Sequence, residues 1–471
     1  MSLKPPEDQD IIIVGATGDL ARRKLLPALY NLFAADLLPA RGRIIGHART
    51  SWSDDQFREV GAAAVREFSH TGFDAKVWSS FAERLTYVSA GSGGLAEVKR
   101  RCTESARLVY LAVAPSVFSS AIRDLSEQEM VQGTRLIVEK PFGHDLNSSR
   151  ELERTLHDVF DEAQVYRIDH YLGKETVQNI LIFRFGNAAF ERLWNRDAVE
   201  HVQVTVAESI GIEGRGAFYE ETGALRDIIQ NHVFQVLSLL AMEPPDSFKP
   251  EAIRDEKAKL LSAMQPIHPA KVVRGQYTRG SIDGEEVPGY REEDGVNPDS
   301  STETFAALQL HIDNWRWAGV PFFLRTGKRL PRRATEIEIA FRDVPVRFFH
   351  GTGVASLPAN HLTLSIQPDE TITFAFLAKV PGPEISVRTV HMQFSYGESF
   401  MVKPAEAYER LLHDALDGDH TLFARADAVD VSWAVVQPVL DATLPVHLYP
   451  AGTWGPPEAD ALIAPHKWHV R

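Results

Sequence analysis

Ile11-Ile12-Ile13-Val14-Gly15-Ala16-Thr17-Gly18-Asp19-Leu20 is the stretch on which the fold turns. Four consecutive apolar, β-branched residues ending at a glycine read as a short strand, and the sequence from Ala21 to Phe33 continues as a helix. A strand, a glycine turn and a helix in that order bring backbone N–H groups and a helix N-terminus to one point, which suits a pyrophosphate. The glycines depart from G-x-G-x-x-G, because Thr17 stands at the second glycine position, and G-x-x-G-D alone describes a plain tight turn equally well. Working outward, Arg43 to Gly46, Arg107 to Val113 and Leu136 to Val138 are further apolar runs separated by helical stretches. Such alternation builds a parallel, doubly wound sheet.

Ser148-Ser149-Arg150-Glu151 has the form of a capping box opening a helix with Leu152, Leu156 and Val159 on one face. Beyond about residue 195 the period changes. Val202, Val204 and Val206 alternate with polar positions, as do Ile337, Ile339 and Phe341, then Leu362, Leu364 and Ile366, then Ile372, Phe374 and Phe376. Period-two alternation marks strands with one covered face, typical of an antiparallel sheet. Helices are expected at Gly223 to Met242, Ile253 to Met264, Ala405 to Ala415 and Ala426 to Leu440, and an exposed excursion at Gly280 to Ser301. The expected organisation is an α/β domain over 1–195 and an α+β domain with a large, mainly antiparallel sheet over 196–471.

Composition narrows the function. With 471 residues and 44% apolar content the chain can bury a sizeable interior. Its formal charge of −14 argues against nucleic acid or an anionic membrane as partner, and any phosphate site must gather its cations locally. No apolar run approaches the roughly 20 residues that span a bilayer, and Met1 to Asp10 is polar and acidic, so a cytoplasmic location is expected. One cysteine, Cys102, excludes an intramolecular disulfide, and the 17 histidines show no HExxH or comparable metal-ligand spacing. The tryptophans, including Trp315 and Trp317, are assigned to packing.

Three places carry candidate chemistry. The second strand ends at His47-Ala48-Arg49 with no acidic residue at its tip. An acid there would bond the ribose 2′-hydroxyl of NAD, whereas Arg49 can pair with the 2′-phosphate of NADP, so NADP is the expected cofactor and NAD the weaker alternative. Nearby Arg22, Arg23 and Lys24 read equally as a solvated helix face. Glu139-Lys140-Pro141-Phe142-Gly143 closes a parallel strand where ligands of such sheets collect; Lys140 is placed to touch cofactor and substrate, and its bond to Pro141 is one where a cis peptide is accessible although trans is generally favoured. The third place, Arg167-Ile168-Asp169-His170-Tyr171-Leu172-Gly173-Lys174-Glu175, offers His170, Tyr171 and Lys174 as phosphate donors. Asp169 would oppose an anion; its natural work is to hold an imidazole in one tautomer. Arg226-Asp227-Ile228-Ile229-Gln230-Asn231-His232 supplies one, with His232 as candidate general base; Asp227 and His232, five apart, point in broadly different directions on an α-helix and can line two sides of one cleft. A lone histidine is more often a hydrogen-bonded core or surface residue, and spacing alone does not overturn that.

Asp169-His170-Tyr171-Leu172-Gly173-Lys174 resembles the active-site signature of the glucose-6-phosphate dehydrogenase family. The glycine turn, the Glu139 to Gly143 strand end, the Arg226 to His232 helix, Val320-Pro321-Phe322-Phe323-Leu324-Arg325-Thr326-Gly327-Lys328 and Ala451-Gly452-Thr453-Trp454-Gly455-Pro456 extend the resemblance along the chain in family order. It implies a Rossmann-like N-terminal domain holding NADP through Gly15, Thr17, Gly18, Asp19, Leu20, Arg49 and Lys140, joined to an α+β domain through which family members form homodimers or homotetramers. It implies a catalytic dyad of Asp169 and His232, phosphate contacts from His170, Tyr171 and Lys174, and sugar contacts from Lys140, Glu208, Asp227 and Lys328. Arg333 falls near a further basic substrate position, with Pro331 and Arg332 altering the local pattern. Phe118 stands where some members have a tyrosine, and the basic residues of the second cofactor site of some larger members are not traceable, so one NADP site is expected. Glucose 6-phosphate is the implied substrate. The alternatives are an oxidoreductase of an unphosphorylated sugar or inositol, which would not need the His170, Tyr171 and Lys174 cluster, and a non-catalytic assembly relative, which would have lost Asp169, His232 or the glycine turn.

Overall fold

A computed structural model describes residues 4–345, 349, 354, 357–400 and 406–469. Met1 to Leu3 of the acidic N-terminal stretch, and Ala405 of the expected helix, lie outside the described residues. The chain forms two compact units. One comprises Met1–Glu175, Pro245–Ala258 and Pro404–Asp430; the other comprises Thr176–Pro244, Lys259–Lys403 and Val431–Arg471. A chain that returns twice to its first unit has units that a single boundary in sequence does not describe.

The first unit is built on strands β1 (Asp10–Val14), β2 (Ile44–Ala48), β3 (Leu85–Ser89), β4 (Arg107–Leu111), β5 (Thr134–Glu139) and β6 (Val165–Ile168), all parallel, in the order β6-β5-β4-β1-β2-β3. The two-residue strand Phe423–Ala424 adds antiparallel to the edge at β6. β1 is buried throughout, as a strand with helices on both faces must be. Strand order reverses between β4 and β1, so the crevice at the C-terminal ends of these strands is where such a sheet binds ligands. β3 and β6 escaped the sequence reading because each is short and interrupted by polar residues; Arg167 in β6 is wholly buried, its guanidinium paired with Glu153 and Glu162. The helix Leu146–His157 starts earlier than its expected capping box. Asp145 is the cap, accepting from the Ser148 N–H at 2.7 Å while Ser148 Oγ accepts from the Asp145 N–H, and Val159 falls past the helix end.

The second unit carries a nine-stranded sheet. Its strands are β7 (Val199–Ala207), β8 (Val272–Thr278), β11 (Phe305–Leu310), β12 (Phe322–Gly327), β13 (Ala334–Phe341), β14 (His361–Gln367), β15 (Thr371–Lys379), β16 (Val387–Ser395) and β18 (Val446–Pro450). The small hairpin Gly280–Ile282 with Glu285–Val287 supplies β9 and β10, and Phe423–Ala424 is β17. The order is β16-β15-β14-β13-β7-β12-β11-β8-β18, antiparallel except where β7 meets β12 and β8 meets β18. The alternation seen in sequence does not mean a solvated face in the middle of this sheet: β13 is buried at every position. Its polar positions are covered by the C-terminal segment. Glu338 takes His361 Nδ1 at 2.7 Å and His469 Nδ1 at 2.8 Å, and Gln203 of β7 donates to the Lys467 carbonyl.

Two other expectations change. Residues 280–301 are only partly an excursion: Tyr290 is fully buried, edge-on to Tyr277 and Tyr219, with its hydroxyl donating to Glu220. Trp317 packs in the core and donates to the Ala241 carbonyl, whereas Trp315 is 96% exposed and does no packing. Among the described residues no helix is long and apolar enough to cross a membrane.

Candidate active site

In the first unit, Gly15 ends β1 at φ +95°, and a Cβ there would meet the Ala112 carbonyl oxygen at 2.2 Å, so close approach of β4 and backbone conformation both demand glycine. The Gly15 and Ala16 N–H groups donate to the His47 carbonyl, and that of Gly18 to the Gly15 carbonyl. The following helix opens as a π-helical turn, Ala21–Leu25, and becomes α-helical over Leu26–Ala34. A cavity of about 440 Å³ lies at these strand ends, lined by Gly15, Thr17, Gly18, Arg49, Ala112 and Val117 among others. Arg49 is exposed, and no ion pair among the described residues engages it. Arg22 and Lys24 are held instead, by Glu67 and Glu406, while Arg23 stands 3.9 Å from Asp19. Phe118 is buried in its helix and does not line the cavity; neighbours Val117 and Ser120 do. The cavity and the glycine approach together fit a dinucleotide, with the Arg49 guanidinium unengaged at the rim.

β5 ends at Glu139, which accepts hydrogen bonds from Tyr110 at 2.5 Å and Tyr408 at 3.1 Å. Burial pushes the Glu139 carboxyl up; those phenols and the Lys140 ammonium pull it back, and the Asp169 charge pushes it further up. Lys140 is half-buried and joined to Pro141 by a cis peptide. β6 ends one residue before Asp169, which is buried and accepts from the Tyr171 N–H at 3.0 Å. Successive turns, Leu172 N–H to the Asp169 carbonyl through Lys174 N–H to the Tyr171 carbonyl, wind this segment into the helix Glu175–Phe185. His170 lies parallel to Tyr408, and Lys174 Nζ sits 4.0 Å from the centre of the Tyr171 ring. Gly173 is required here because a Cβ would come within 2.6 Å of the Ala407 carbonyl oxygen. Three donor side chains thus occupy one turn.

In the second unit, β7 and β12 run parallel and deliver Glu208 and Lys328 to the same end, where Lys328 Nζ meets Glu208 Oε2 at 2.6 Å. Lys328 is buried, with Nζ also 5.1 Å from the centre of the Tyr219 ring. Burial, then the charges of Asp227 and Glu208, push the Tyr219 phenol well above its ordinary range. Asp227 and His232 fall in a π-helical stretch, Leu225–Val233, between α-helical Gly216–Ala224 and Phe234–Ala241. This corrects the expectation that they point apart: in π-helical winding residues five apart are joined by the main-chain bond and lie about one turn from each other. His232 is buried and Asp227 half-buried. Arg333 is exposed at the start of β13, its Nη2 donating to Gln367 at 2.9 Å. Sequence reasoning missed Tyr219, Tyr408 and Lys257. Of these only Lys257 left a signal, a lysine at the i+4 position of an apolar stripe that contains Ile253, Leu260 and Leu261.

A parallel sheet with a glycine turn at its switch point, together with a mixed-sheet α+β unit, defines a Rossmann-type oxidoreductase. Residues 12–179 match the family model described as glucose-6-phosphate dehydrogenase, NAD binding domain, and residues 181–470 match its C-terminal domain. A glucose-6-phosphate 1-dehydrogenase of Aggregatibacter actinomycetemcomitans is 44% identical over 96% of this chain and 95% of its own. The crystal structure of glucose-6-phosphate 1-dehydrogenase from Mycobacterium avium is 39% identical, with a TM-score of 0.88 and 99% of both chains covered. A structure of glucose-6-phosphate dehydrogenase in complex with its substrate glucose-6-phosphate is 38% identical, with a TM-score of 0.90 over the full length of both chains. The chain belongs to the glucose-6-phosphate dehydrogenase family.

Proposed function

We propose that this protein oxidises glucose 6-phosphate at C1 to 6-phosphogluconolactone, with NADP as the hydride acceptor. The observation that carries the reading is the single turn bearing His170, Tyr171 and Lys174, a concentration of phosphate donors on a chain of charge −14. An oxidoreductase of unphosphorylated sugars has no use for it.

His232 takes the proton of the C1 hydroxyl as the C1–H bonding pair leaves as hydride, and the C1–O bond becomes the lactone carbonyl. NADP, when bound, supplies the nicotinamide carbon that receives the hydride. Asp169 orients the imidazole and stabilises the imidazolium that forms. His170, Tyr171 and Lys174 hold the phosphate, so that binding remote from C1 positions the reacting carbon. Glu208, Asp227, Lys140 and Lys328 contact sugar hydroxyls, with Arg333 at the rim. In the cofactor site, Gly15, Thr17, Gly18, Asp19 and Leu20 form the phosphate turn, with N–H donation falling to Thr17, Asp19 and Leu20 since the Gly15, Ala16 and Gly18 N–H groups are engaged within the turn, Arg49 takes the 2′-phosphate, and Lys140 reaches the nicotinamide side. In functional terms residues 1–195 carry the cofactor site together with the phosphate-holding turn, and 196–471 carry the base and the other sugar contacts. The reading includes a cytoplasmic location and a homodimer or homotetramer, both resting on composition and family resemblance.

Absorbance growth of the reduced cofactor tests this directly, with glucose 6-phosphate compared with glucose and NADP with NAD at matched concentrations. Preference for the phosphorylated sugar with NADP is expected. Equal rates on glucose transfer the protein to the unphosphorylated-sugar class, and inactivity with every pair points to a non-catalytic relative.

A further inference from the structure

Lys257 is the buried cation that the mechanism above leaves unused. It is 2% exposed, and its Nζ has no hydrogen-bond partner among the described residues. An ammonium placed this way is costly to bury and is retained only where a nearby charge compensates it. The helix Pro250–Ser262 brings it into the first unit through a chain of ion pairs. Arg254 Nη2 reaches Glu162 Oε1 at 3.3 Å, and Glu162 in turn holds Arg167 at 2.9 Å. From Arg254 to Lys257 is one turn along the same helix face; from Arg167 to Asp169 is two residues along the same side of the β6 line. The helix is thus pinned at Arg254 to the end of the unit where β6 leads into Asp169, and the Asp169 charge acts on the Lys257 ammonium.

We propose that Lys257 is a positioning residue for the reaction, its ammonium offsetting the negative field at the Asp169–His232 dyad and so setting the dyad's proton affinity; the inference rests on the dyad reading above. Burial pulls the Lys257 ammonium down to about 8, the Asp169 charge resists, and Arg254 on the same helix adds to the lowering. Asp169 is further faced by Glu139 from β5 and Tyr408 from the helix Ala407–Asp417, and Lys140 acts on Glu139. Among these groups Lys257 is the fully buried amine. While charged it offsets the negative field of Asp169 and Glu139 and makes His232 easier to deprotonate; above about pH 8 that offset fades.

The test is the pH profile of kcat/KM in Lys257→Met and Lys257→Arg. Loss of the cation leaves the dyad's negative field uncompensated, so Lys257→Met moves the acid limb upward by roughly one pH unit, with KM for glucose 6-phosphate little changed and the two profiles converging above about pH 8. Lys257→Arg keeps the charge and keeps the limb in place. Lys257→Gln gives the same reading should the Met variant not fold. An unmoved limb in Lys257→Met, or one moved equally by Lys257→Arg, overturns the proposal while the dyad stands. Near-normal turnover of Asp169→Asn alone overturns the dyad and this inference with it.

Discussion

The two units hold their candidate site residues differently. In the first they sit on turns past strand ends: Arg49 is exposed, Lys140, His170 and Lys174 are half-buried, and Asp169 and Tyr171 are buried. In the second the proton-exchanging His232 is buried on a π-helical turn and Lys328 is buried and locked to Glu208 at 2.6 Å, with Asp227 and Glu208 half-buried and Arg333 alone exposed. Turns at strand ends can offer donors to ligands of many shapes without disturbing a core, so they suit binding. A group that must exchange a proton in a fixed geometry is better placed on an element whose packing leaves it no freedom.

That division makes graded predictions. His232→Asn is expected to lower kcat about a thousandfold with KM for glucose 6-phosphate within a few fold, measured by steady-state kinetics; retained turnover breaks the assignment of chemistry to the buried helix. Lys174→Ala is expected to raise KM for glucose 6-phosphate by about tenfold to thirtyfold while leaving kcat nearly intact, as loss of one charged phosphate contact implies. A kcat loss equal to that of His232→Asn would erase the contrast. Arg49→Ala is expected to lower the NADP to NAD preference in kcat/KM by about tenfold, and an unchanged ratio removes the 2′-phosphate role.

The smallest effect concerns the cover over the second sheet. Burial pushes the Glu338 carboxyl up, but hydrogen bonds from His361 and His469 and their charge outweigh it and hold the group below its ordinary value. A carboxyl lowered in the folded state contributes stability that is present above its unfolded pKa and lost as pH falls through the folded one. The melting temperature should drop by a few degrees more between pH 5 and 3 in the parent than in Glu338→Gln. Parallel curves would mean the clasp on the C-terminal segment contributes nothing measurable.

Much of the fold was legible because local patterns act alone where burial is simple. The run Ile11 to Val14 is apolar at every position, so no partner is needed to recognise it, and the glycine turn follows at once. β3 and β6 were illegible because each is short and broken by polar residues, and the burial of Arg167 is made tolerable by Glu153 and Glu162 on the neighbouring helical segments, which the strand itself does not announce. The alternation in β13 was read as one solvated face because nothing in the strand announces that His469, over a hundred residues on, will cover Glu338.

By itself the sequence determined the order of strand, glycine turn and helix, the family, and the cluster of donors on the turn after β6, since each is a matter of residue types close together in the chain. Only the tertiary structure decided the rest. The pairing of Lys328 with Glu208 depends on two strands lying parallel, the alignment of Asp227 with His232 on a π-helical turn, and the burial of Lys257 on a helix returning to the first unit. Each is set by packing between residues far apart in sequence, where the desolvation of a charge is decided by what covers it.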